Sequence, residues 1–372
     1  MTTRHLFLIQ TLILLLINPA GAQTRKPGLF RSNDFATNVY FQSWNVDGDR
    51  TSQLSVPVTY ILPLSRKLNL DITTGAAFAQ RTTAANRLDG PIDTRVRTSL
   101  LLLKEKLLLS AYLTFPTGKS KLGGDQNEVA SALADDALGF RVPNYGHGLH
   151  LNLAVVYAQK ISRGLVLGLG AAFLQKGEFE PFEDTALDYR PGHEIALTMG
   201  VDIGGSKFKM TGDVSYIIYQ ADKANDVEIF RSGNKLLLQA QWILNARVFG
   251  LTLYLRNRSK GKNERGRLFG DLEGETRNSN GNQLDVGSIS SFAVGRKTTV
   301  QGFLSAKIYA RNQFGDRGAL IVSVGSGLKQ RISRRLALEI SARFSQGRLK
   351  TQDSLTNVTG IEVGGGFRIR LR

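Results

Sequence analysis

The stretch ISRGLVLGLGAAF, from Ile161 to Phe173, returns as ISRRLALEISARF from Ile332 to Phe344, with seven of the thirteen positions identical. A third relative, LSRKLNLDITTGAAF, runs from Leu64 to Phe78. Each begins with a short polar turn and continues as an alternating run that ends on an aromatic ring. In the first copy Leu165, Leu167, Leu169, Ala171 and Phe173 share one face, and Val166, Gly168, Gly170 and Ala172 the other. That is the two-residue period of a β-strand with unlike sides. The second copy sets Leu336, Leu338, Ile340, Ala342 and Phe344 against Ala337, Glu339, Ser341 and Arg343, so one face is apolar and the other polar. The last strand repeats the rule, with Ile361, Val363, Phe367 and Ile369 opposite Glu362, Arg368 and Arg370.

Alternation alone also suits a soluble sandwich, and the aromatic residues decide between the two. Phe115, Phe173, Tyr216 and Phe344 each lie ten residues beyond a turn residue (Glu105, Arg163, Ser206 and Arg334), always on the apolar face, and Phe78 closes the third copy. Ten residues on a strand tilted by about 40° climb roughly 25 Å, the height of the apolar band of an outer-membrane barrel. Tyr60, Tyr157 and Trp242 come shortly before turns and supply the opposite girdle. The pattern predicts an all-β fold: a transmembrane antiparallel up-and-down barrel of 14 to 16 strands. The expected spans are 35–46, 51–62, 67–79, 92–103, 107–117, 147–160, 164–176, 189–203, 206–220, 232–244, 247–259, 284–294, 298–311, 318–330, 335–347 and 357–372. The first hairpin and 284–294 carry the weakest pattern, and Pro57 demotes the second span toward an edge or bulge. Short turns are expected on the periplasmic side. The longer polar connections 80–91, 118–146, 177–188, 221–231 and 260–283 are expected outside.

The N-terminus places Arg4 before an apolar run from Leu6 to Ile17 and a small-residue site at Ala20-Gly21-Ala22. This is the layout of a secretory signal peptide, and the run is too short for a membrane helix, which needs about 20 residues. The expected organisation is a signal peptide at 1–22, a short periplasmic segment at 23–34 and the barrel at 35–372. The chain has no cysteine and a net charge of +17, so disulfides and thiolate metal sites are excluded. Its basic residues are spread along an exported chain, which argues against nucleic acid, and the export signal with girdled amphipathic strands and no apolar helix points to the bacterial outer membrane. Lipid, lipopolysaccharide, the barrel assembly machinery and a small-molecule solute are the expected partners. Arg372 stands where bacterial barrels commonly end in an aromatic residue.

PTGKS at 116–120 invites comparison with a phosphate-binding loop, but that motif requires Gly at position 113, which is Leu. His147, His150 and His193 have no carboxylate or serine partner at a catalytic spacing. No catalytic residue, metal or cofactor is expected. Asp135-Asp136 and Glu183-Asp184 read as loop carboxylates, solvated or bridged to lipopolysaccharide by cations.

LTFPTGKSKLGG at 113–124, YGHGLHLNLAVVYAQKI at 145–161 and YRPGHEIALTMGV at 189–201 together resemble the outer-membrane barrels related to the long-chain fatty-acid transporter, in particular the group linked to the meta-pathway of phenol degradation. The resemblance covers about half the chain. It implies passage of hydrophobic or aromatic compounds through a barrel closed by an N-terminal plug, for which 23–34 leaves only a short segment here.

By alternation Arg95, Arg97, Lys207, Lys209, Lys235, Arg256, Lys307, Arg311, Arg343, Arg368 and Arg370 face the lumen, against the acids Asp71, Asp93, Asp202, Asp213, Glu339 and Glu362. Three functions fit such an interior: passage or binding of small, hydrophobic or aromatic solutes; a structural or adhesive surface barrel held by internal ion pairs; and an anion-preferring pore.

Overall fold

Ser65, Ser162 and Ser333 show why the polar turn recurs. The Ser65 hydroxyl accepts the N–H groups of Lys67 and Leu68 at 3.1 and 3.0 Å, Ser333 does the same for Arg335 and Leu336 at 3.1 and 3.0 Å, and Ser162 accepts from Gly164 at 3.4 Å. A serine that binds backbone donors two and three residues ahead closes a reversal locally, so one device serves three hairpins.

The computed structural model describes residues 33–85, 87–205, 207–266, 271–315, 318–351 and 354–371. The expected signal peptide 1–22, residues 23–32 and Ser206 lie outside them. Sixteen strands form the wall. They are β1 (Asp34–Val46), β2 (Asp49–Pro63), β3 (Leu68–Arg81), β4 (Thr94–Leu102), β5 (Leu107–Phe115), β6 (His150–Ser162), β7 (Leu165–Lys176) and β8 (Glu194–Gly204). Then follow β9 (Phe208–Tyr219), β10 (Lys235–Asn245), β11 (Phe249–Lys260), β12 (Gln283–Val294), β13 (Thr298–Tyr309), β14 (Ala319–Arg331), β15 (Leu336–Thr351) and β16 (Ser354–Arg370). Every consecutive pair is antiparallel, and β1 closes on β16, from Asp34 opposite Arg370 to Val46 opposite Val358. Closure removes the sheet edge that lipid could not satisfy.

Both weakly patterned segments are full strands. Asp47-Gly48, with φ of 53° and 88°, makes the tight first hairpin, the Asp-Gly signal for a primed turn. Pro57 sits opposite Gly75 on one side in the β2–β3 register and is skipped by the β1–β2 register on the other, so its missing N–H disturbs only a local break. Because β4 begins only at Thr94, the outer part of β3 is completed by Leu88–Pro91, paired with Ala76–Ala79. At the outer mouth the short strands Tyr189–Arg190, Ala221–Ala224, Val227–Arg231, Glu264–Gly266 and Leu272–Gly274 form a separate five-stranded sheet.

The apolar face forms an outward belt in which Leu169, Met199, Val324 and Ile340 are 60%, 61%, 56% and 57% exposed. A belt of this size is untenable in water and is what lipid requires. Phe78, Phe115, Tyr157, Phe173, Tyr216 and Phe344 are all exposed on it, and Tyr60 and Trp242, on the same strand faces, are half-buried. Phe35, Phe208, Phe249, Phe292 and Phe367 enlarge the aromatic set on the turn side, with ring centroids 5.0 Å apart for Phe249–Phe292 and 6.2 Å for Phe35–Phe367. Inside, bulky rings occupy the space a Cβ would take at glycines of the next strand: Tyr40 at Gly364, Trp44 at Gly360 and Tyr254 at Gly287.

Ile340 lies on the lipid face near mid-strand and Ser341 on the lumen face beside it. Ile340→Arg is expected to destabilise the barrel by about 2 to 4 kcal/mol and Ser341→Arg by much less, as measured by refolding titrations into lipid vesicles.

Candidate functional site

The connection between β5 and β6 does not stay outside as expected from its polar composition. It folds into the barrel. Helix α1 (Gly124–Leu133) buries Val129 and Leu133 completely, and Ala137, Leu138, Phe140, Val142 and Tyr145 follow them into one apolar cluster. The wall side of this cluster consists of inward residues near the outer ends of five strands, Trp44, Ala77, Ala79, Ile321, Leu349 and Val358.

Polar anchors fix the segment from Asp136 to Val142 across the lumen. At one end the Asp136 carboxylate accepts from Arg258 at 2.6 Å and its carbonyl accepts from the Tyr309 hydroxyl at 2.7 Å. At the other, Gln53 brackets the Val142 peptide, accepting its N–H at 3.0 Å and donating to its carbonyl at 2.6 Å. Gln42 accepts the Arg141 N–H at 2.7 Å, and the Arg141 guanidinium meets Glu362 at 2.5 Å. Side chains that replace the loop's lost water contacts in this way satisfy a backbone that could not otherwise be buried.

Two stems hold the loop's entry. Gly118 and Gly146 pass so closely that a Cβ on Gly118 would fall 1.9 Å from the Tyr145 carbonyl oxygen, and one on Gly146 2.7 Å from the Gly118 carbonyl carbon. Asp93 clasps both stems, accepting from the N–H groups of Gly118 and His147 at 3.0 Å each. It lies in the β3–β4 connection and holds the loop, which corrects its assignment as a plain lumen acid. The next connection stitches over the first: Lys119 and Lys121 meet Glu183 and Glu180 at 3.1 and 2.6 Å, and Leu122 bridges Phe182. Asp136 and Glu183 are therefore loop-fastening groups and not simply solvated charge.

The other singled-out residues have these places. Arg97 pairs with Asp71 and Lys209 with Asp202, Arg370 lies 3.7 Å from Asp34, and Arg95 and Arg368 are exposed on inward positions of β4 and β16. Lys207 and Arg311 correct the expectation, because the alternation was carried past the strand ends: Lys207 is exposed in the β8–β9 turn and Arg311 exposed in the loop after β13. On five adjacent strands Asp213, Gln239, Arg256, Asp285 and Lys307 are successive cross-strand neighbours. Gln239 donates to Asp213 at 3.2 Å and Arg256 to Gln239 at 3.1 Å. Arg343 stands opposite Glu362 and 5.9 Å from the Phe303 ring. Arg258 and Lys260, inward residues of β11, were missing from the sequence-derived set, although the same alternation that selected Arg256 reaches them.

His147 packs edge-on against Phe179 at 5.6 Å. The Nδ1 atoms of His150 and His193 accept the N–H groups of Gly177 and Lys176, each at 3.2 Å. Burial, with Arg190 and Lys176 nearby, holds His193 below the ordinary imidazole range, which favours the neutral ring that can accept that bond. Glu275, in the β11–β12 connection, is pushed up by burial, but bonds from Ser279 and Asn263 outweigh this and leave its carboxyl below the ordinary value. The Ser279 hydroxyl lies 2.8 and 2.9 Å from its two oxygens.

No family model matches the chain, and no curated protein matches it. Solved structures do. CdiB from Acinetobacter baumannii superposes with a TM-score of 0.51 at 11% identity, over 89% of this chain and 60% of that one. A bacterial polysaccharide outer membrane secretin gives 0.48 at 10%, over 92% and 100%, and the CymD monoaromatic hydrocarbon channel 0.46 at 9%, over 92% and 89%. The fold is that of a large bacterial outer-membrane β-barrel, in keeping with passage or binding of solutes.

Gly146→Val is expected to unseat the inward loop, exposing Lys119, Lys121 and Arg141 to trypsin added to barrels in lipid vesicles. Gly124→Ala, where a Cβ meets nothing within 4 Å, should leave them protected. A depressed carboxyl stabilises the fold above its unfolded pKa, about 4.3, and loses that contribution as pH falls through the lower folded value. Protection from hydrogen exchange, relative to the intrinsic rate at each pH, is thus expected to be high at neutral pH in 261–266 and 271–282 and to be lost below about pH 4, and Glu275→Gln should reduce it already at neutral pH.

Proposed function

We propose that the barrel is a constricted solute channel that prefers small anions and catalyses no reaction. The observation that carries this reading is an imbalance of pairing along the inner wall. The inward carboxylates Asp71, Glu194, Asp202, Glu339 and Glu362 each have a cationic partner, Arg97, Lys176, Lys209, Lys329 and Arg141, and Asp213 and Asp285 stand in one cross-strand row with Arg256 and Lys307. Lys235, Arg256, Lys260, Lys307 and Arg343 form no ion pair among the described residues. Unpaired cations in a low-dielectric wall focus a positive potential into the opening and concentrate anions there. The apolar inward residues, by contrast, pack against the loop, which gives less support to a greasy track for the hydrophobic or aromatic solutes implied by the family resemblance.

A purely structural barrel would have its lumen charge compensated one for one, whereas Arg343 shares Glu362 with Arg141 and Lys307 shares Asp285 with Arg256, which leaves an excess of positive charge. In planar bilayers under a salt gradient the reversal potential is expected to have the anion-selective sign, and Arg343→Gln with Lys307→Gln to bring it toward zero. A cation-selective sign, or the same potential in the double variant, would overturn the reading. Lack of conductance with uptake of an aromatic solute would favour the hydrophobic route instead.

A further inference from the structure

Near the outer end of the lumen two lysines are placed where their charges should repel. Lys235 begins β10 and Lys260 ends β11, and they are direct cross-strand partners. Like charges directly opposite each other in an antiparallel pair destabilise it. Both ammonium groups nonetheless turn toward a single ring, lying 5.9 and 6.0 Å from the centroid of Tyr219. Lys235 is only 6% exposed, so water contributes little to its charge, and a cation–π contact alone replaces only part of the hydration the ammonium has lost.

The carboxylates that act on the pair are all engaged elsewhere. They are Glu194 and Asp136 for Lys235, and Asp136, Asp222 and Glu275 for Lys260. Glu194 is held by Lys176, and Asp136 by Arg258. Asp222 accepts from the Tyr189 hydroxyl and the Gly192 N–H at 2.6 Å each, and Glu275 accepts from Ser279 and Asn263. Arg258, one row deeper on β11, adds a third positive charge. Beside the lysines, Ile217 and Leu237 are buried and apolar, and among the described residues no carboxylate forms an ion pair with either ammonium group.

We propose that Lys235 and Lys260 form an oxyanion-binding site over Tyr219, which takes the carboxylate or phosphate group of a small solute. The inference deepens the anion-preferring reading and rests on it for the route by which the anion arrives. One oxyanion between the lysines would replace their repulsion with two charge-assisted hydrogen bonds, and a Tyr219 ring below would keep both side chains extended toward it.

The test is equilibrium dialysis of the refolded full-length barrel in detergent against radiolabelled inorganic phosphate, and separately against radiolabelled acetate. Saturable binding of one equivalent is expected for at least one of the two, identifying the phosphate or carboxylate source. Lys235→Gln with Lys260→Gln should weaken it at least about a hundredfold, since each of the two lost bonds to a charged group is worth about tenfold or more. Lys235→Arg with Lys260→Arg, which keeps both charges, should retain binding, and heat-modifiable gel migration identifies folded barrel in every variant. Absence of saturable binding of both anions, or equal binding in the folded Gln variant, overturns the site. Anion-selective reversal potential without binding would refute the site alone. Binding with cation-selective conductance would refute the channel reading and leave the site standing.

Discussion

Pairing of the first strand with the last is the constraint from which the rest of the molecule follows. Hydrocarbon offers no partner for a backbone N–H or C=O, so the seam from Asp34–Arg370 to Val46–Val358 must close or the whole wall becomes untenable. Once it is closed, every strand residue has a choice of two faces. The outer takes leucine, valine and rings. The inner must be hydrated, paired or packed.

The inner wall uses all three solutions in different places. Its outer third near the seam is packed, because Ala77, Ala79, Ile321, Leu349 and Val358 meet the apolar residues of the inward loop. Its charged rows are partly paired, with Arg97–Asp71 and Lys176–Glu194 as closed units. Elsewhere the cations outnumber the carboxylates, with Asp213 and Asp285 set in the row of Arg256 and Lys307, and there hydration or a solute has to compensate the excess. The loop thus crosses the lumen from the seam side to Arg258 and Tyr309 and narrows it beside the cation-rich rows of β10 to β13. This juxtaposition is the physical basis of the proposed selectivity.

The barrel was legible in the sequence because its rule is local: a period of two, a turn serine and a ring about one membrane thickness away. All sixteen expected spans correspond to strands, and the Asp47-Gly48 turn would have strengthened the weakest of them. The inward loop was not legible from its own composition, since its anchors Gln42, Gln53, Arg258, Tyr309 and Glu362 lie far away in the chain. A signal existed in the wall. Alternation fails at Ala76-Ala77-Phe78-Ala79 and at Leu320-Ile321-Val322, where both faces are apolar, as in strands buried on both sides. The glycines in PTGKS and YGHG likewise mark the crossing of the two stems. Lys207 and Arg311 were misplaced because alternation says nothing about where a strand stops.

The account depends most on the loop occupying the lumen, and single-channel conductance tests that directly. Removing residues 119–144, so that Gly118 joins Tyr145, is predicted to leave a folded barrel whose conductance in symmetric potassium chloride is several times that of the intact protein. A folded deletion variant with unchanged conductance would contradict the account, because the loop could not then be the constriction.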